Sequence, residues 1–295
     1  MTDWPNLFLP GAPKAGTTAL WEYLRTHPDI FLCDPKEPKF FDQSRPLSAR
    51  RYLQLFSRSE ASYRYRGDAS TCYLSSAAAL SRIEATCDRP TYIVCLRNPV
   101  DLVHALHWEL VLQGIEPEQD FATAWSLCER RRELADKKPE SLRRRLLVYP
   151  DMGRLGAQVG ILLRHCEQER IMFIMQEEFR ENPRGTYLGI LDFLGLSDDQ
   201  RTDFFSVNPA SVPRSWIVHR AAQAGVRLRK QLGLAPLGTT ANRFYERLNR
   251  RRRPRPPIPE GLRYKLVDFF ADDVARLEQD IGRPLRSIWT DFQSR

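Results

Sequence analysis

The sequence predicts an α/β fold built on a central parallel sheet flanked by helices, and three observations carry that prediction. Leu7-Phe8-Leu9, Thr91-Tyr92-Ile93-Val94-Cys95-Leu96 and Ile171-Met172-Phe173-Ile174-Met175 are continuous apolar runs, the pattern of strands buried on both faces. Stretches with helical spacing of apolar residues separate them. The first run passes straight into a glycine-bounded loop and then a helix, the order of a βα unit.

That loop is Pro10-Gly11-Ala12-Pro13-Lys14-Ala15-Gly16-Thr17-Thr18. Gly11 and Gly16 permit tight backbone geometry. Successive N–H groups and the helix N-terminus then converge on one point and favour an anion there. Lys14 adds a full charge, and Thr17 and Thr18 add hydroxyls. Lys14, Ala15, Gly16, Thr17 and Thr18 are therefore candidate phosphate ligands. A Walker A loop would carry its lysine directly after the second glycine and then Ser or Thr for magnesium; here Thr17 follows Gly16. An ordinary strand-to-helix turn with a solvated lysine is the plain alternative.

The remaining elements follow in order. Ala19, Leu20, Trp21, Tyr23 and Leu24 give the first helix an apolar side, ending near His27-Pro28. Asp34 to Lys39 is a proline-bounded loop anchored by Phe40 and Phe41. Ser48–Phe56 reads as a short helix. Gly67 to Leu74 reads as a turn-rich connection, and Ser75–Cys87 as a helix. The strand 91–96 delivers Arg97-Asn98-Pro99-Val100-Asp101 at its C-terminal end, where ligands bind in open α/β sheets. Arg97 can grip a phosphate bidentately, or pair with Asp101. Helices are expected over Gln119–Lys137, Asp151–Cys166 and Glu260–Ile281, the last with a stripe of Leu262, Leu266, Phe269, Phe270, Val274 and Leu277.

The 295 residues suffice for one large domain, 1–295, with a helical portion at about 216–295 packed on it. The net charge of +8, from 45 basic and 37 acidic residues, suits an anionic ligand. The run Arg250-Arg251-Arg252-Arg253 reads as a solvated linker, and the basic runs lack the aromatic interleaving of a single-strand nucleic-acid platform. No nucleic-acid partner is expected. No apolar run approaches the ~18 residues of a membrane span, and no secretory signal is visible at Met1–Pro5. The six cysteines lack metal-ligand or CxxC spacing and read as reduced thiols. A cytoplasmic protein without a metal site is the expectation.

Leu9 to Leu20, with His27-Pro28 and Lys36-Glu37-Pro38-Lys39-Phe40-Phe41, resembles the start of a sulfotransferase that uses 3′-phosphoadenosine 5′-phosphosulfate (PAPS). Leu96 to Asp101 resembles that family's 3′-phosphate-binding segment. The resemblance implies a P-loop-type three-layer fold, a 5′-phosphosulfate held by the loop around Lys14, and a 3′-phosphate held by Arg97. It makes Glu37 the catalytic base, as in related carbohydrate sulfotransferases, where the charge pattern alone would read as a solvated loop. Lys36, Lys39 and, as a runner-up base, His107 become acceptor contacts.

The chain departs from the family pattern at several places. Lys39 stands where His is frequent, Asp68 where Glu is usual, Cys72 where Pro is usual, and Ala105 where a serine usually contacts the 3′-phosphate. Arg214 and Ser215, in a loop that could close over the nucleotide, are candidates to offset Ala105. The implied function is in-line sulfuryl transfer to a hydroxyl or amine of a small-molecule or carbohydrate acceptor, with Lys14 stabilising the leaving bisphosphate and PAP as the spent donor. The rival readings are a P-loop nucleotide kinase or NTPase, and a non-catalytic nucleotide- or nucleic-acid-binding protein.

Overall fold

The computed structural model describes residues 4–34, 36–42, 48–57, 63–138, 141–204, 211–213, 250–252 and 255–293. Five parallel strands form the central sheet: β1 (Leu7–Phe8), β2 (Ile30–Leu32), β3 (Tyr65–Asp68), β4 (Thr91–Leu96) and β5 (Ile171–Met175), in the order β2-β3-β1-β4-β5. From β1 the chain moves to one side of the sheet, and from β4 to the other. The crevice between the C-terminal ends of β1 and β4 is therefore the switch point at which α/β sheets bind ligands.

β1, β4 and β5 match the apolar runs. β2 and β3 were not legible as strands. Ile30–Leu32 is only three residues long, too short for a periodicity. Tyr65-Arg66-Gly67-Asp68 looks like a turn, yet Leu7 pairs with Gly67 and Phe8 with Asp68 in register. Gly67 makes room for its neighbour: a Cβ there would lie 2.4 Å from Leu32 Cδ2, which would have to shift.

Helices cover both faces. α1 (Thr17–Leu24) buries Leu20, Trp21, Tyr23 and Leu24. α2 (Ala49–Gln54) and α3 (Ala77–Thr86) start at side-chain caps from Ser48 and Ser76, which satisfy N–H groups the helix itself leaves open. α4 (Pro99–Leu112) follows β4, with Pro99 in its first turn and Asn98 Oδ1 accepting from Val100 N at 3.0 Å. The helix expected over 119–137 divides at Leu127 into Phe121–Ser126 and Cys128–Asp136. That expected over 151–166 divides at Arg154, whose ψ of 72° is not helical.

The closing helix Glu260–Ile281 forms as expected and buries Leu266, Phe270, Val274 and Leu277; Phe269 of the expected stripe is exposed. Each large side chain buried this way contributes about 1.5–3 kcal/mol. Its Asp273 also caps the helix Leu155–His165, accepting from Gly156 N at 2.7 Å and Ala157 N at 2.9 Å. A Cβ on Gly156 would lie 2.3 Å from the Asp273 carbonyl oxygen. Gly156→Ala is thus expected to force the two helices apart and cost about 1–3 kcal/mol, read as a lower denaturant midpoint at unchanged m-value.

Ser211–Pro213 and Arg250–Arg252 form a separate antiparallel pair, so the arginine run contains a strand where a linker was expected. Arg214, Ser215 and Arg253 lie outside the described residues. All six cysteines are buried and free. Among the described residues no helix is long and apolar enough to cross a membrane, and no group of three or more His, Cys, Asp or Glu side chains is placed to hold a metal ion.

Candidate active site

The loop from Pro10 to Gly16 is drawn across the C-terminal end of β4. Ala12 N donates to Cys95 O at 2.6 Å and Cys95 N to Gly11 O at 2.8 Å. Lys14 and Gly16 take φ values of 62° and 92°, so the chain reverses tightly before α1. Gly16 is the N-cap of α1 and contributes no side-chain hydrogen bond there. The amides of the first turn therefore keep their capacity to bind an anion. Ala15 and Thr17 are buried against the sheet, and Thr18 is half-buried.

Lys14 Nζ lies 3.1 Å from Glu109 Oε2 on α4. Arg97, at the end of β4, donates from Nη1 to the Lys14 carbonyl at 2.9 Å. The two cations thus flank one crevice. Asp101 is not paired with Arg97; it accepts from Arg263 Nη1 at 3.0 Å. Among the described residues Arg97 forms no ion pair. Burial lowers its pKa, and the neighbouring Arg255 acts in the same direction against Asp101 and Glu177. An anion in the crevice would relieve both effects.

Arg255 was missed in the sequence because it reads as part of a proline-rich basic linker. Its charge is felt at Asp101 and Glu109 as well as at Arg97. Asp101, Ala105 and Glu109 succeed one another at i, i+4 and i+8 on α4, a single stripe. Arg255 thus shares its electrostatic neighbours with the stripe on which Ala105 lies. Glu109 was missed too, although its position one turn beyond Ala105 was a usable signal.

The loop carrying Glu37 follows β2 and is tied through Thr71 to the neighbourhood of Gly11, where a Cβ would meet Thr71 O at 3.1 Å. Glu37 sits 3.3 Å from Lys36 Nζ and 3.0 Å from Lys39 Nζ, and Thr71 Oγ1 donates to its Oε1 at 2.9 Å. Burial raises its pKa, but the two lysines and the Thr71 hydroxyl together outweigh it, and the carboxyl is held below its ordinary value. It is therefore an ionised acceptor at neutral pH, as a base must be. Glu37 and Lys39 both have positive φ, 63° and 58°, unusual for residues with side chains and found where surroundings over-determine the backbone.

His107 does not belong to this group. It is fully buried, its Nε2 lies 2.9 Å from the Glu118 carbonyl, and its ring packs on Phe121 and Tyr149. Burial lowers its pKa, so it is a core imidazole rather than an acceptor contact. His104, also in α4, is pushed down to about 4 by burial and by Arg255 and accepts from Trp108 Nε1 at 3.1 Å.

Residues 5–206 match the model of the sulfotransferase domain. Human heparan sulfate glucosamine 3-O-sulfotransferase 3B1 is 27% identical over 199 residues, which are 65% of this chain and 46% of that protein. The chain thus spans about half the length of that relative. Human heparan sulfate glucosamine 3-O-sulfotransferase 6 is 24% identical over 290 residues, covering 95% of this chain and 72% of its own. The solved structure of a sulfotransferase from Alicyclobacillus acidocaldarius superposes with a TM-score of 0.71 at 26% identity, covering 96% of this chain and 98% of that one. The domain match takes in the loop from Gly11 to Gly16, the Glu37 loop and Arg97: the chain belongs to the sulfotransferase-domain family.

Proposed function

We propose that this protein transfers a sulfuryl group from PAPS to a hydroxyl or amine of a carbohydrate acceptor. What supports the reading is Glu37, held ionised and bonded to Thr71, whose carbonyl lies against Gly11 in the loop that carries Lys14 and leads to an uncapped helix N-terminus. When bound, PAPS supplies an activated sulfuryl group on a phosphate leaving group. The loop amides and Lys14 bind the 5′ end and stabilise charge that develops on the leaving oxygen. Lys14 must exchange its Glu109 partner for that oxygen. Arg97 orients the donor through the 3′-phosphate. Glu37 accepts the acceptor's proton as the new S–O or S–N bond forms. Lys36 and Lys39 keep Glu37 ionised and give the acceptor side of the crevice a positive rim, which suits an anionic sugar.

Calorimetry with PAP, compared with ATP plus magnesium, tests the reading. Tight PAP binding that needs no metal supports it. Magnesium-dependent ATP binding without PAP binding would replace it by a kinase or NTPase. Labelled PAPS presented with heparosan and heparan sulfate oligosaccharides then tests the acceptor class.

Arg255 is the residue we assign to the vacancy at Ala105. Arg255→Ala is expected to weaken PAP by about tenfold, the lower end for a charge-assisted hydrogen bond, and to spare 5′-AMP, which has no 3′-phosphate. Equal losses on both nucleotides would remove Arg255 from that role.

A further inference from the structure

We propose that Asp68 is a positioning residue: through the hydroxyls of Ser70 and Tyr73, the turn that follows β3 fixes the Glu37 loop against the phosphate loop. This rests on the reading of Glu37 as base, and it assigns a task to a turn that the proposed chemistry leaves without one.

Asp68 is wholly buried at the C-terminal end of β3, beside β1, where Leu9 N donates to its carbonyl at 2.9 Å. Its carboxylate accepts three hydroxyls: Ser70 Oγ on Oδ1 at 2.7 Å, and Tyr52 OH and Tyr73 OH on Oδ2 at 2.8 and 2.9 Å. A hydroxyl has one proton. Those of Ser70 and Tyr73 are committed to Asp68, so their lone pairs point outward. Both are used by the Glu37 loop: Lys39 N donates to Ser70 Oγ at 3.0 Å and Phe41 N to Tyr73 OH at 3.2 Å. The direction of every bond is set by one acceptor-only group.

The same turn holds the other side of the crevice. Leu74 N donates to Pro10 O at 2.9 Å, and a Cβ on Gly11 would meet Leu74 Cβ at 2.9 Å and Thr71 O at 3.1 Å. Thr71 then reaches Glu37 itself at 2.9 Å. Residues 68–74 therefore touch the donor loop at Pro10 and Gly11 and the base loop at Glu37, Lys39 and Phe41. They also explain how Glu37 and Lys39 keep positive φ, because the Lys39 amide between the two has a fixed acceptor.

Tyr73→Phe, Ser70→Ala and Asp68→Asn test this. The first two remove one hydroxyl each with little change in packing. The third puts an amide N–H where a hydroxyl must donate, forces that hydroxyl to turn, and aims its proton at a loop N–H. Hydrogen exchange followed by mass spectrometry is expected to show faster exchange in residues 36–42 of each variant, with residues 10–18 unchanged. Calorimetric PAP binding should be retained. Turnover of labelled PAPS should fall by up to about 10²-fold, the effect of misplacing a catalytic group by an ångström, with the KM for the donor unchanged.

Unchanged exchange in 36–42 in all three variants would overturn the proposal. So would equal loosening of 10–18 together with lost PAP binding, the mark of general destabilisation. The exchange measurement needs neither donor nor acceptor. A wild-type protein that binds no PAP would therefore count against the proposed function, while the exchange data alone would still decide whether the turn holds the loop.

Discussion

Glu37→Gln is expected to lower sulfuryl transfer by about 10²–10⁴-fold, the usual worth of a positioned general base, with PAP affinity unchanged. Glutamine keeps the volume and can still accept from Thr71, but it cannot take a proton. The loop also keeps its contacts to Ser70 and Tyr73, so the loss should fall on kcat. Full turnover in this variant would show that Glu37 is not the base.

The pH dependence sharpens the test. Lys36, Lys39 and Thr71 hold the Glu37 carboxyl below its ordinary value against the effect of burial. The wild-type rate should therefore stay level as pH falls through the normal glutamate range and drop only as it passes through the lowered value. Lys36→Met removes one of the lowering charges and should move that acid limb to higher pH. Linkage gives the same sign for folding: a depressed carboxylate contributes stability above its unfolded value and loses it as pH falls through the folded one.

Lys14→Ala and Arg97→Ala are the second pair of large effects, and they should fail differently. Each removes a cation from the proposed donor site, where a charge-assisted hydrogen bond is worth about 1.5–3 kcal/mol, or roughly 10–150-fold in Kd. Arg97→Ala should weaken PAP and leave 5′-AMP unaffected, erasing discrimination for the 3′-phosphate. Arg97→Lys should not restore it, because a point charge does not reproduce the two-pronged guanidinium. Lys14→Ala should weaken both nucleotides and also slow the chemical step by about 10²–10³-fold, as removal of a group that stabilises transition-state charge does. It also removes the lysine 3.1 Å from Glu109, which leaves that carboxylate's negative charge beside the loop less balanced. A double variant, Lys14→Ala with Glu109→Gln, should recover part of the binding but none of the rate. Unchanged PAP affinity in both single variants would move the donor site elsewhere.

The sequence by itself determined the outline of the sheet and the position of the loop proposed to hold the donor. β1, β4 and β5 are long enough or apolar enough to be read directly. The loop from Gly11 to Gly16 is defined by residue types whose backbone consequences are local. Arg97 follows from its place after an unmistakable strand, and Glu37 from a charge pattern that only a family resemblance lifts above a solvated loop.

What the tertiary structure decided are the relations between distant segments. β2 and β3 exist because neighbours pair with them and because Gly67 lets Leu32 approach. Glu109 meets Lys14 across 95 residues of chain, and Arg255, from a stretch that looks like a linker, acts electrostatically on Asp101 and Glu109. His107 is excluded from the site by the core that surrounds it, although its spacing on α4 would have allowed either face. Asp68 reads as a turn residue, yet three hydroxyls from Ser70, Tyr52 and Tyr73 converge on its buried carboxyl against the cost of burial. Local pattern determines which segment is strand, loop or helix, since those preferences act over a few residues. Which charges face one another, and which carboxylate loses its water, depends on packing between segments far apart in sequence.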